Sequence, residues 1–393
     1  MTASSRLRAV QLSPTYAVLD EVTRLRNEGQ TILDLGGGEP DFDTPEHIKA
    51  AGIEAINSGT THYTPSRGAN GLLEAISEKL LHDNRIMVSP DSQIIVTPSA
   101  KHALFISIFS IIDPGDEVII LTPSWSSYKE MVKIAGGIPI EVPISVAPNT
   151  LISIEDITPN ISLKTKAIII NSPNNPTGKI FNEKECREIL ALSAKHDLKI
   201  ICDEIYEKIN YGGSQHFSIG SLREAEERTL TINGFSKGYA MTGWRLGYVA
   251  GPQALIGELL KLQQHSVGCA SSFTQQGAIH ALIGDQSPID TMVAEYKRRR
   301  DLVIERLNSI PGIVCETPAG SFYAFANISS LGITDEEFCL GILKETGIAA
   351  TPGSAFGNHF GGYVRFSFSG SYQVLNDAME KLSNFIHSKL LKS

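Results

Sequence analysis

The sequence lacks any apolar run near the about 20 residues that a membrane-spanning helix needs, so no such span is predicted. Its first residues, Met1-Thr-Ala-Ser-Ser-Arg-Leu-Arg8, have no apolar signal-peptide core. Cysteine is sparse: Cys186, Cys202, Cys269, Cys315 and Cys339 are odd in number, with no CxxC and no Cys/His cluster. Neither a disulfide framework nor a zinc site is indicated, no metal is expected, and a reducing cytoplasm fits. Positive charge is in deficit, with a net charge of −9, which argues against a nucleic-acid surface. The densest basic run, Lys297-Arg-Arg-Arg300, lies in a helix-like segment and reads as a solvated face. Internal repeats and low-complexity linkers are absent. Gly36-Gly-Gly38 follows a strand-like run, but Asp41 stands where the dinucleotide fingerprint needs its third glycine.

What is present is ordinary globular composition, 42% hydrophobic and 20% charged, over 393 residues. That length exceeds what one core usually serves, so two domains are expected. Apolar, β-branched runs at 94–97, 117–121, 138–142, 166–170, 199–206, 229–233 and 246–250 read as strands. Helical patterns lie between most of them. This alternation predicts a mostly parallel sheet of seven strands covered by helices, an α/β fold. Strands at 312–315, 321–325 and 363–368, with helices at 334–346 and 373–390, predict a smaller α/β domain. Helices at 14–29 and from Pro45, with a strand at 32–35, precede the large sheet. The expected division is 1–45 joining the small domain, 46–285 as the large domain, and 286–393 as the small one.

Chemistry-bearing residues gather at the predicted strand ends. Lys237 stands between Ser236 and Gly238 in a loop between two buried strands. A desolvated amine there has a lowered pKa and can form a Schiff base, although a surface turn would also accommodate it. Ser99 precedes a helix, an arrangement that binds phosphate or serves as a plain N-cap. Trp125 could stack on a flat ring or pack in the core. Asp203 ends an apolar run and needs a cationic partner, either a ring nitrogen or an arginine. With Asn175, Tyr206 and Arg245 these groups could meet at one sheet edge, where α/β folds place ligands. Together they could hold a phosphorylated pyridine aldehyde.

The segments Ser-Pro-Asn-Asn-Pro-Thr-Gly (172–178), Asp-Glu-Ile-Tyr (203–206) and Ser-Lys…Met-Thr-Gly-Trp-Arg-Leu-Gly-Tyr (236–248) resemble the class I aminotransferases of fold type I. These enzymes depend on pyridoxal 5′-phosphate (PLP). Gly-Glu-Pro-Asp-Phe-Asp-Thr-Pro (38–45) and Ile-Asp-Pro-Gly-Asp-Glu-Val (112–118) are most similar to the bacterial aspartate aminotransferase subgroup. The resemblance implies that Lys237 binds the cofactor covalently and moves the substrate proton. It implies that Asp203 pairs with the ring nitrogen, that Asn175 and Tyr206 bond the ring oxygen, and that Trp125 stacks. Ser236, Arg245 and the helix start at Ser99, Ala100 and Lys101 would hold the phosphate. Arg365 and the Gly38 amide, beside Asn175 and Trp125, would hold the substrate carboxylate. Tyr63 would reach the neighbouring subunit's phosphate, implying a homodimer with shared sites. Cis peptides before Pro123 and Pro176 are also implied.

Lys101 bears on substrate, because in that subgroup a lysine here reaches the distal carboxylate of aspartate or glutamate. Gln11 stands where aspartate/prephenate enzymes carry a basic residue, near Ser13 and Thr15, which argues against prephenate. The leading expectation is transamination of aspartate with 2-oxoglutarate. An aromatic or specialised amino donor, or a PLP-dependent lyase, would use the same Lys237 machinery. A PLP-binding regulator would need a helix-turn-helix ahead of Ser13, for which no room is expected.

Overall fold

Glu117–Thr122, Thr165–Asn171 and Lys199–Asp203 are rich in isoleucine and valine and are almost wholly buried. Strands covered on both faces must read this way. In the computed structural model, which describes residues 4–147, 150–212 and 216–390, strand β1 is Leu33–Asp34 and the large sheet follows. That sheet comprises β2 (Ile94–Thr97), β3 (Glu117–Thr122), β4 (Ile138–Pro143), β5 (Thr165–Asn171), β6 (Lys199–Asp203), β7 (Thr229–Gly234) and β8 (Gly247–Ala250). Their order is β2-β8-β7-β6-β5-β3-β4, with parallel pairing throughout except at β8. The seven-stranded, mostly parallel α/β sheet is thus as predicted.

The pleat divides each strand between two cores. Val118 and Ile120 pack with Ile169, Ile201 and the helices Ala100–Ile111 and Gln253–Ser266. Ile119 and Leu121 turn to the opposite face, toward Ile168, Ile200 and the helix Glu183–Lys195. The second sheet takes β9 (Val314–Cys315), β10 (Tyr323–Asn327), β12 (Thr351–Pro352) and β13 (Tyr363–Ser367) in the antiparallel order β12-β13-β10-β9. Between them in sequence, β11 (Ile348–Ala349) pairs in parallel with β1. Val22, Leu25, Ile32 and Ala349 close that junction and tie the early chain to the late chain. Among the described residues no helix is long and apolar enough to cross a membrane.

Several expectations need correction. The strand predicted to reach Tyr206 ends at Asp203, and a turn closed by Glu207 N–H donating to Glu204 O carries Tyr206. The helix predicted over 14–29 stops at Asn27, ahead of Gly29 with its positive φ of 85°. The basic run is not uniformly solvated: Arg299 is buried, pairing with Asp41 at 2.7 Å and Glu295 at 2.9 Å and donating to the Ser369 carbonyl. The short strands β11 and β12 were not predicted, since two residues carry no periodicity. The peptides before Pro123, Pro173 and Pro176 are cis.

The reversal of β8 places its start at the edge where β7 ends. The loop 235–246, with Lys237 and Arg245, therefore leaves and re-enters the sheet on one side. β8 enters so close to the helix Ala100–Ile111 that a Cβ on Gly247 would lie 2.3 Å from the Ala100 nitrogen. Backbone cannot rotate aside as a side chain can. Gly247→Ala should cost roughly 3 kcal/mol, the upper range for overpacking, read as a lowered urea midpoint.

Candidate active site

A cavity of about 550 Å³ opens at the carboxyl edge of the large sheet. Gly38, Ser99, Ala100, Lys101, Trp125, Asn175, Asp203, Tyr206, Ser236, Lys237, Arg245 and Arg365 all line it. Tyr63 does not; it is 97% exposed. Gln11 also lies outside the lining, its backbone N–H donating to Glu130 at 2.9 Å. Thr15 lines the cavity, and its hydroxyl meets that of Ser13 at 2.9 Å.

The floor holds a carboxylate and an amine. Asp203 is buried at the end of β6 and takes part in no ion pair among the described residues. Its Oδ2 accepts from the Tyr128 hydroxyl at 2.7 Å, and its Oδ1 from the Ile205 N–H at 3.2 Å. Burial pushes its pKa up to about 6, although both hydrogen bonds and the nearby Lys237 oppose the shift. The Lys237 ammonium donates to the Gly38 carbonyl at 2.5 Å. Burial lowers its pKa to about 8 against the pull of Glu39, and the cations Arg245, Arg365 and Lys101 lower it further. An amine so placed is partly neutral, hence nucleophilic, near neutral pH.

Arg365 lies on β13 of the small sheet and is fully buried. Its Nη1 donates to Asn175 Oδ1 at 3.0 Å, and its Nη2 donates to the Gly36 carbonyl at 2.7 Å. Its Nε has no hydrogen-bond partner among the described residues. Its guanidinium rests over Tyr323, 4.3 Å from the ring centroid, and over Phe356 at 4.9 Å. It forms no ion pair among the described residues, although the Asp34 carboxylate is near enough to act on it, so the arrangement is one that can receive an anion. Burial lowers its pKa while nearby tyrosines oppose that shift.

A second anion-favouring point is the start of the helix Ala100–Ile111, whose first N–H groups have no partners within the helix. Ser99 caps it, its hydroxyl accepting from His102 N–H at 3.1 Å. Ser236 and Arg245 stand beside it on the cavity wall, Arg245 anchored to the Thr242 carbonyl at 2.8 Å. The Lys101 ammonium lies 4.6 Å from the Tyr16 ring centroid and 4.8 Å from that of Trp125. It also donates to the Tyr16 hydroxyl at 3.2 Å.

Among the lining residues that escaped the sequence reading are Tyr128, Asn171, Tyr323 and Tyr16. Tyr128 follows Trp125 by three positions, but nothing in its spacing points to Asp203, 75 positions away. Asn171 caps β5, its side chain donating to the Asp203 carbonyl at 3.0 Å and accepting from Asn175 N–H at 2.8 Å. Tyr323 meets the Tyr206 hydroxyl at 3.0 Å. Tyr16 comes from the first long helix. None forms part of the quoted segments, and each arrives through tertiary packing.

A lysine, a buried carboxylate and a helix start on the carboxyl edge of such a sheet define a fold-type I enzyme of amino-group chemistry. The sequence profile of aminotransferase class I and II matches residues 30–382, and the chain belongs to that family. An aspartate aminotransferase of Musicola paradisiaca is 45% identical over 386 residues, covering 98% of this chain and 96% of that one. The solved aspartate aminotransferase of Thermus thermophilus with maleate superposes with a TM-score of 0.92 at 37% identity, covering 98% and 100% of the two chains. The aromatic aminotransferase of Pyrococcus horikoshii does so at 0.89 and 41%, covering 94% and 100%. The protein is an aminotransferase acting on amino acids and 2-oxo acids, and its cofactor is PLP. The residues present fit that group: a buried carboxylate with no ion pair among the described residues suits a protonated ring nitrogen, and the helix start beside Arg245 suits a phosphate.

The cofactor-free protein offers a direct test of the Asp203 environment. A carboxyl with a raised folded pKa carries no penalty below the ordinary aspartate value and its full penalty above about 6. Stability of the wild-type apoprotein should therefore fall as pH rises through that window. Asp203→Asn should remove the fall, gaining roughly 3 kcal/mol on wild type at neutral pH and little at acid pH, by urea denaturation.

Proposed function

We propose that the enzyme transfers the amino group of aspartate to 2-oxoglutarate in two half-reactions. One observation carries this reading: two cationic side chains in one cavity, Arg365 and Lys101, neither of which pairs with a carboxylate among the described residues. A dicarboxylic amino acid could span them. Several similar proteins bear the name aspartate aminotransferase. The aromatic rings around Lys101, and the similar aromatic aminotransferase, favour an aromatic donor as the second reading.

When bound, PLP supplies an aldehyde carbon and an electron-accepting ring. Lys237 is the amine that attaches it and the base that moves the proton at the substrate Cα. Asp203 would pair with the ring nitrogen and keep it protonated. Asn175, whose side-chain carbonyl is engaged by Arg365, has its amide N–H to give to the ring oxygen, joined by Tyr206. Trp125 covers the ring. Ser236, Arg245 and the amides at Ser99, Ala100 and Lys101 hold the phosphate. Arg365 and the Gly38 amide grip the substrate α-carboxylate, and Lys101 takes the distal one. Prephenate is not favoured, since Gln11 provides no charge.

The same reading assigns residues 46–285 to the cofactor-binding domain, with 1–45 and 286–393 forming the small one. The pairing of β1 with β11 supports this division. It also makes the enzyme a homodimer in which the partner subunit's Tyr63 reaches the phosphate, and it sets the enzyme in the cytoplasm, consistent with five free cysteines.

Two measurements test these assignments. Mixing the holoenzyme with single amino acids and following cofactor absorbance should show aspartate as the fastest donor. Lys101→Ala should cut the aspartate-over-alanine preference about 30-fold, the worth of one charged contact; an unchanged preference would remove Lys101 from substrate recognition. Sedimentation should give a dimer, and Tyr63→Phe should weaken PLP binding about tenfold; a monomer with wild-type affinity would rule out a shared site.

A further inference from the structure

The turn that carries Asp203 and Tyr206 has two sides. Asp203, Ile205 and Tyr206 line the cavity, whereas Glu204 and Glu207 do not, although both are buried. Two carboxylates buried in one turn are costly unless their charge is balanced.

The balance comes from outside the sheet. Lys79, on the helix Asn70–Asn84, forms an ion pair with Glu207 and donates to Asn84 Oδ1 at 2.6 Å. Asn84, at the end of that helix, donates to Glu207 at 2.7 Å and to Glu204 at 3.2 Å. Ser218 donates to Glu204 Oε2 at 2.7 Å, and His216 Nε2 lies 3.1 Å from the same oxygen. Burial opposes protonation of His216, but the Glu204 carboxylate outweighs it and raises the pKa. Lys79 thus pairs with Glu207, and His216 lies against Glu204. Ligand atoms of Glu204, Glu207 and His216 lie within 4.8 Å of one another. The Lys79 ammonium already supplies a cation to them, so the cluster is a closed clamp and not an open set of ligands.

We propose that Lys79, Asn84, His216, Glu204 and Glu207 are positioning residues for the transamination chemistry, clamping the 203–207 turn from behind so that Asp203 and Tyr206 stay aimed at the cofactor ring. The inference rests on the roles given to those two residues above. The clamp acts through geometry and through charge. Lys79 and Asn84 fix the far end of the turn against a helix that contributes nothing to the cavity lining. The Glu204 charge works against ionisation of Asp203. His216, Ser218 and Asn84 hold the Glu204 carboxylate in place behind Asp203.

Lys79→Met, His216→Gln and the double variant Lys79→Met/Glu207→Gln are prepared as holoenzymes. The double variant leaves no buried charge unpaired across that contact and serves where Lys79→Met fails to fold. For each, kcat, KM, the PLP dissociation constant from apoenzyme reconstitution, and the pH midpoint of the cofactor absorbance change are measured. The expected result is an about tenfold fall in kcat at little-changed amino-acid KM, the usual scale for a residue supporting a site from behind. It comes with weaker PLP binding and an upward shift of the absorbance midpoint. Variants that lose thermal stability yet keep the wild-type midpoint, PLP affinity and kcat overturn the clamp. Asp203→Asn is the control: if it is defective while the clamp variants are not, only the clamp falls. If Asp203→Asn itself keeps the wild-type midpoint and kcat, the role given to Asp203 falls and the clamp with it.

Discussion

A carboxylate held in the protein interior with no ion pair among the described residues is the constraint on which this structure turns. Asp203 ends β6 in the middle of the large sheet, between the buried strands β5 and β7. Its two hydrogen bonds, from Tyr128 and Ile205, only partly offset the loss of water. The site therefore stores an unfavourable charge that a protonated ring can relieve.

The rest of the cavity extends the same logic with opposite sign. Arg365 is a cation buried with no ion pair among the described residues, and Lys237 is an amine whose proton is held loosely because burial and three cations act on it. Arg365 arrives from the small sheet, while Asn175, which it engages, follows β5 of the large one. The contact joins the two sheets across the cavity. Arg299 makes a second bridge, binding Asp41 of one cavity wall and the Ser369 carbonyl of the other.

Much of the site was legible because its residues sit at the ends of strong patterns. Ser99, Trp125, Asn175, Asp203 and Lys237 each follow a run of β-branched residues, and a parallel sheet brings such ends to one edge. Arg245 precedes its strand and reaches that edge because β8 is reversed, which spacing alone did not reveal. Tyr128, Asn171, Tyr323 and Tyr16 were not legible, because an aromatic or amide in an ordinary segment carries no local signal of its distant partner. Arg299 misled for the same reason: a basic run reads as solvated until Asp41, 258 positions earlier, is packed against it.

The sequence by itself determined the strand and helix order, the α/β class, the family resemblance and which groups were available for chemistry. Those follow from local periodicity and from side-chain identity, which the chain carries with it. Only the tertiary structure decided the state of those groups. The burial of Asp203 raises its proton affinity, the burial of Lys237 lowers its own, and Arg365 is buried with no ion pair among the described residues. Charge and pKa depend on desolvation and on neighbours far apart in sequence, and neither exists until the chain has closed on itself.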